Sequence, residues 1–151
     1  MKIGNILETD LIFLDFESRN KEVALEDMVG RINKKVRDTK EVLEAINRRE
    51  KLGTTAVGDG VALPHCRTSA IKKILAAFFR STAGIDFEAE DGEPVHLIFL
   101  ILAPDEEWES YLEVLAQIAR LCKEEKNRNA LLKANNPGEV IKFIKGVSEG
   151  I

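Results

Sequence analysis

The sequence predicts an α/β protein in which a mixed β-sheet is sandwiched between helices, with the element order β-α-α-β-β-β-α-α-α. Three observations lead there. Apolar residues recur at helical spacing in the first and last thirds of the chain. The middle third is broken by glycines and by short β-branched runs instead. Within it, VHLIFLILA at 95–103 is apolar on both faces, which suits a central strand covered from both sides.

Taken in order, residues 11–16 form a short apolar run with two aromatics, the candidate first strand. Ser18 or Asn20 then caps a helix carrying Val23, Ala24, Met28, Val29 and Ile32 at helical spacing. Asp38 or Thr39 opens a second helix with Val42, Leu43 and Ile46 as its apolar positions, and Gly53 is placed to end it. Ala56-Val57 and 61–63 are too short and too glycine-interrupted for helices and read as strands or strand ends. Residues 74–80 form another strand. Asp91-Gly92 marks a turn between 85–89 and the long strand at 95–103. After Pro104, a stripe of Trp108, Leu112, Leu115, Ile118, Ala119 and Cys122 predicts a helix over 106–123, read as core packing with Trp108 covering the core edge. A shorter helix follows near 127–134. Pro137, at a first helical position, opens the last one through Val140, Ile141 and Ile144, with Val147 next on the same face.

No repeat, low-complexity tract or linker divides the 151 residues, so one domain over 1–151 is expected. Hydrophobic and charged shares of 44% and 32% are those of a soluble globular chain. Twenty-two basic against twenty-six acidic residues give a net charge of −4, which argues against a nucleic-acid binder. The N-terminus has no apolar h-region before Glu8 and Asp10, and the longest apolar run, 97–103, falls far short of a membrane span. Cys66 and Cys122 lie far apart with no CxxC spacing, so neither a disulfide scaffold nor a structural zinc site is expected. These features place the chain in the cytoplasm with reduced thiols, with no cofactor and no membrane insertion.

One segment stands apart: GTTAVGDGVALPHCR, residues 53–67. Gly53-x4-Gly58 has the spacing of a P-loop start, but Asp59 follows where a lysine is required, and it would repel phosphates. Gly58-Asp-Gly60 begins a GxGxxG, yet the third position is Leu63, and Pro64 makes an immediate helix start awkward. There is no GxSxG. His65 and Cys66 are sequence neighbours, which on an extended backbone point to opposite faces and make a poor dyad. A metal would have to recruit ligands from elsewhere, His96 being the only other imidazole, and His96 itself reads as structural. The imidazole of His65 remains. Neutral histidine is a good nucleophile near pH 7. A phosphate acceptor needs a stiff, exposed loop, small residues for a partner's approach, and donors for the added charge. Pro64 stiffens the approach, Gly58 and Gly60 clear space and expose N–H groups, Thr54 and Thr55 bring hydroxyls, and Arg48 or Arg49 lies upstream.

The run from Arg49 to His65, REKLGTTAVGDGVALPH, closely resembles the signature of mannitol/fructose-type EIIA domains of the bacterial phosphotransferase system, including its nitrogen-regulatory branch. DGEPV at 91–95, followed by an apolar strand ending in Pro104, is a second match, and the likeness runs from about Leu11 to the last helix. The resemblance implies a three-layer α/β/α fold with a mixed sheet. It implies a cytoplasmic phosphohistidine carrier rather than a turnover enzyme on its own, with His65 as phosphoryl acceptor and Arg49 as its charge partner. Thr55, Gly58 and Gly60 would support the phosphoryl group. The implied donor is an HPr-like protein, and the recipient an EIIB domain or a regulatory target. The chain departs from the family at one point. Where many members carry a second active-site histidine in a His-Leu-x-x-Leu setting, this sequence has Tyr111-Leu-Glu-Val-Leu. A tyrosine can donate a hydrogen bond to a phosphoryl oxygen but does not become a cation near pH 7. That, with no EIIB or membrane portion among these residues, favours a regulatory role over sugar relay. It also keeps a second reading, a binding module of the same fold that acts by protein–protein contact. A third, weaker reading is a metal sensor using His65 and Cys66.

Overall fold

The strand expected from VHLIFLILA is present with the same limits, and the other elements are arranged about it. The computed structural model describes residues 1–148. In chain order the elements are α1 (Ile3–Ile6), β1 (Ile12–Phe13), α2 (Lys21–Arg31), α3 (Thr39–Lys51), β2 (Ala56–Gly58), β3 (Val61–Ala62), β4 (His65–Arg67), β5 (Leu75–Ile85), β6 (Val95–Ala103), α4 (Trp108–Lys123), α5 (Glu125–Lys133) and α6 (Pro137–Ser148). Short 3-10 turns at Thr9–Leu11, Asn33–Lys35 and Asp105–Glu107 link them. Asn20 and Asp38 are the caps of α2 and α3. The Asn20 Oδ1 accepts the Val23 N–H at 3.0 Å, and the Asp38 Oδ1 accepts those of Lys40 and Glu41 at 3.0 and 3.2 Å.

β6 lies between an antiparallel partner, β5, and two short parallel partners, β3 and β4. Val61 pairs with Leu97, Ala62 with Ile98, His65 with Ile101 and Cys66 with Leu102. The register never changes, so β3 and β4 are one strand interrupted at Leu63-Pro64. Proline has no N–H to give the ladder, though its carbonyl still accepts the Ile101 N–H at 3.0 Å. β1 flanks β5 in parallel and β2 flanks β3 antiparallel, closing one mixed six-stranded sheet.

Alternation along β6 divides the core in two. Val95, Ile98, Leu100 and Leu102 belong to a cluster with the apolar faces of α2 and α3. Leu97, Phe99, Ile101 and Ala103 join Ile3, Val114, Ile118, Leu131, Val140 and Ile144 of the other helices. This is the expected three-layer arrangement.

Several local readings change. α1 and β4 were not foreseen, and β1 covers only Ile12–Phe13 rather than 11–16: a 3-10 turn at Thr9–Leu11 delays its start, and the chain bends away at 14–15. β5 runs on to Ile85, past the expected end at Arg80, through a register shift between Arg80 and Ile85; residues 86–89, read as strand, are not one. Glu17 supports that shift, its carboxylate accepting the Ser81 hydroxyl and the N–H groups of Thr82 and Ala83. The buried stripe of α4 is Tyr111, Val114, Gln117, Ile118, Leu121 and Cys122. Trp108 and Leu112 are left 43% and 45% exposed, and Trp108 does not seal the core. The helix is turned because Gln117 faces the N-terminal segment: its Oε1 accepts the Ile3 N–H at 2.8 Å and its Nε2 donates to the Met1 carbonyl.

Candidate functional site

The break at Pro64 determines where His65 stands. It restarts the strand beside the C-terminal half of β6, on the face that carries Val61 and Leu63 toward α4. The imidazole is half-buried, and its Nδ1 lies 2.6 Å from the Leu63 carbonyl. A carbonyl oxygen only accepts, so Nδ1 carries the proton and Nε2 keeps its lone pair. Burial is the main influence on the ring and pushes its pKa below 6.5, with the Arg49 cation adding to the effect; the Leu63 carbonyl and Glu50 pull the other way. The result is a neutral imidazole with its nucleophilic nitrogen fixed as Nε2.

Tyr111, from the first turn of α4, brings its ring centroid to 5.9 Å from that of His65. It is buried, and burial raises the phenol's pKa, so it is a neutral hydroxyl at any physiological pH. The Trp108 ring lies beside it, tilted by 39°, with centroids 5.8 Å apart. Arg67, two residues after His65 and therefore on the same face of β4, places its guanidinium 4.2 Å over the Trp108 ring and 3.8 Å from Asp105. Arg67 was absent from the sequence reading, although its i+2 spacing from His65 signals it. Asp105 also brings the acidic 3-10 turn to this edge, beside Arg67 rather than against the imidazole.

Arg49 approaches from the last turns of α3. Its Nη1 donates to the Gly53 carbonyl at 3.0 Å, folding the side chain back along the helix end, and its charge is felt by both His65 and Tyr111. Arg48 is exposed on the other side, where its charge acts on Cys66. Glu50 is a buried carboxylate that sequence reading missed, because a glutamate near a helix end ordinarily faces water. It accepts the Thr55 hydroxyl, the Thr55 N–H at 3.3 Å and the Lys21 ammonium at 3.3 Å, while Lys21 also reaches Glu88 at 3.0 Å. Thr55 is thus committed to Glu50. The Thr54 hydroxyl donates to the Phe87 carbonyl at 3.2 Å and accepts the Ala56 N–H. Both threonines anchor the segment between α3 and β2; neither hydroxyl is left over for a phosphoryl oxygen.

The glycine pair needs correction. Gly58, Asp59 and Gly60 all have positive φ, 91°, 57° and 76°, and form the tight turn from β2 to β3. Gly60 bonds through its carbonyl to the N–H groups of His96 and Leu97. At about 3.3 Å per residue along a continuous register, Gly60 stands roughly 16 Å from His65. Proximity in sequence misled, because the chain between them is extended. His96 sits there too, its Nδ1 2.9 Å from the Ser81 carbonyl, a structural histidine. Cys66 points into the core on the opposite face from His65, and burial pushes its thiol up to about 12, so the two cannot share a metal. Among the described residues no cluster of three His, Cys, Asp or Glu side chains could hold one.

Comparison with known proteins identifies this geometry. The sequence profile of the family described as "Phosphoenolpyruvate-dependent sugar phosphotransferase system, EIIA 2" matches residues 5–147. A nitrogen regulatory protein of Bradyrhizobium diazoefficiens is 38% identical over 126 residues, covering 83% of this chain and 82% of the relative. The fructose-specific EIIABC component of Bacillus subtilis is 36% identical over 146 residues, covering 95% of this chain, which spans 23% of that longer protein. Among solved structures, the nitrogen regulatory protein IIA-Ntr of Neisseria meningitidis superposes with a TM-score of 0.88 at 34% identity, covering 94% of this chain and 98% of the other. No helix among the described residues is long and apolar enough to cross a membrane. The chain belongs to the EIIA 2 family of the phosphoenolpyruvate-dependent sugar phosphotransferase system.

Proposed function

We propose that this chain is a phosphohistidine carrier that accepts a phosphoryl group on Nε2 of His65 from an HPr-like protein and serves the regulatory, nitrogen-linked branch of the system. One observation carries the reading: the Leu63 carbonyl fixes the proton on Nδ1 and leaves Nε2 as the nucleophile of a half-buried, neutral ring. The Nε2 lone pair forms a bond to phosphorus, the donor's P–N bond breaks, and the donor imidazole keeps that electron pair. The ring's growing positive charge is shared through Nδ1–H with the Leu63 carbonyl. Arg49 supplies the cation for the phosphoryl oxygens, and Tyr111 supplies a neutral hydrogen-bond donor. Thr55, through Glu50, ties the segment after α3 to the helix end that presents Arg49. The likeness to nitrogen regulatory proteins, over 82% and 98% of their lengths, favours a regulatory role. The EIIABC relative, which names A, B and C parts in one chain, makes an EIIB domain the alternative recipient.

Tyr111 favours a second reading, a module that signals by contact and relays little. Intact mass after incubation with phosphoenolpyruvate, enzyme I and HPr separates the two, with His65→Ala in parallel. An acid-labile adduct on the wild-type protein alone is the expected result. An unmodified wild-type protein, given partners from the same source, removes the carrier reading and leaves the contact module.

A further inference from the structure

A cavity of about 460 Å³, lined by none of the residues assigned to phosphoryl transfer, falls in the volume range of small-molecule sites. Three segments enclose it: the N-terminal stretch with Ile6, Glu8 and Leu11; the loop after α2 with Lys35 and Arg37; and the connection from β4 to β5, residues 70–75. The Arg37 N–H donates to the Ala70 carbonyl at 2.7 Å and pins two of these segments together. The floor is apolar, with Leu11, Ala70, Ile71, Ile74 and Leu75 all buried. The mouth is cationic. Lys35, Arg37, Lys72 and Lys73 line it against a single acid, Glu8, in a chain whose net charge is −4. Two of the four are engaged: Lys35 lies 3.1 Å from Glu8 and 3.3 Å from Asp10, and Arg37 lies 2.8 Å from Glu41. Lys72 and Lys73 are exposed, adjacent, and among the described residues have no carboxylate within ion-pairing distance. Two sequence-adjacent lysines with no counter-charge, both lining an apolar cavity, form a field that concentrates anions there. Arg37 also keeps N–H donors beyond the one given to Glu41.

From this cavity we infer a second binding site on the protein, for a small amphiphilic anion whose apolar body fills the floor and whose carboxylate, phosphate or sulfonate head is held by Lys72 and Lys73. The site uses none of the residues assigned to phosphoryl transfer, so its failure would leave that proposal untouched. Its lip follows β4 directly in the chain, which places a bound ligand a few residues downstream of His65.

The test uses 8-anilinonaphthalene-1-sulfonate on the full ¹⁵N-labelled chain, with N-phenyl-1-naphthylamine as the uncharged control. Saturable binding of the sulfonate at one site is expected, with amide shifts confined to residues 5–11, 35–37 and 70–75. The double charge reversal Lys72→Glu, Lys73→Glu should weaken it at least tenfold, with unchanged thermal unfolding because both side chains are exposed. The uncharged control should bind at least tenfold more weakly. Absence of binding, binding indifferent to the reversal or to the lost sulfonate, or shifts centred on exposed Trp108 and Leu112 would each overturn the inference.

Discussion

At the scale of single residues, the site depends on which groups are already spoken for. His65 has its Nδ1 proton tied to Leu63, and its pKa is depressed mainly by burial. If His65 is the acceptor proposed above, its phosphorylation should persist as pH falls through 6.5 and be lost only once the folded-state pKa is crossed, which a pH series of the intact-mass assay reads. Arg49→Gln removes one of the depressing influences, so its His65 should titrate at higher pH than the wild type; an NMR titration of the ring protons reads this directly. The same shift links to stability. Below 6.5 the unfolded chain takes up the proton first, so stability falls with pH until the folded ring is protonated too. Thr55 and Glu50 give an independent prediction. Thr55→Val leaves a buried carboxylate one donor short and should cost about 1–3 kcal/mol in urea unfolding, with Thr55→Ser restoring most of it. His65, Arg49 and Pro64 could be named together as candidates because they sit in one linear run, although only the family resemblance chose Arg49 over Arg48. Glu50 could not be named, since its burial arises from the packing of α3 against the loop that carries Thr55.

At the scale of elements, boundaries followed sequence where a residue forces the backbone, and drifted where packing chooses. Asn20, Asp38 and Pro137 begin helices as read, and β6 has its expected ends. The face of α4 could not be read, because Trp108–Leu112–Leu115 and Tyr111–Val114–Ile118 are both plausible stripes. The choice fell to Gln117 and its bonds to the N-terminal segment. The extension of β5 beyond Arg80 was likewise invisible, since it depends on Glu17 accepting the N–H groups of the irregular stretch. Gly84 makes that stretch possible. Its φ is +89°, and an added Cβ would lie 2.8 Å from the Pro94 Cβ and 2.9 Å from the His96 Cε1. Gly84→Ala should therefore destabilise the protein by about 1–3 kcal/mol, measured by chemical denaturation.

At the scale of the molecule, both cores share the two long strands, β5 and β6, so neither helical layer can lose its seat without unburying the sheet that the other one covers. Denaturation followed by Trp108 fluorescence and by far-UV circular dichroism should give coincident transitions; separated midpoints would show that the layers unfold independently. The same division gives each layer its own clock. Cys66 is buried on the α2–α3 side and Cys122 on the α4–α6 side, each with its thiol pushed up to about 12. Neither reacts while folded, because thiolate is scarce and access is closed. Under native conditions the alkylation rate of each cysteine therefore counts openings that reach its own layer, and the ratio of the two rates measures how tightly the halves of the molecule move together.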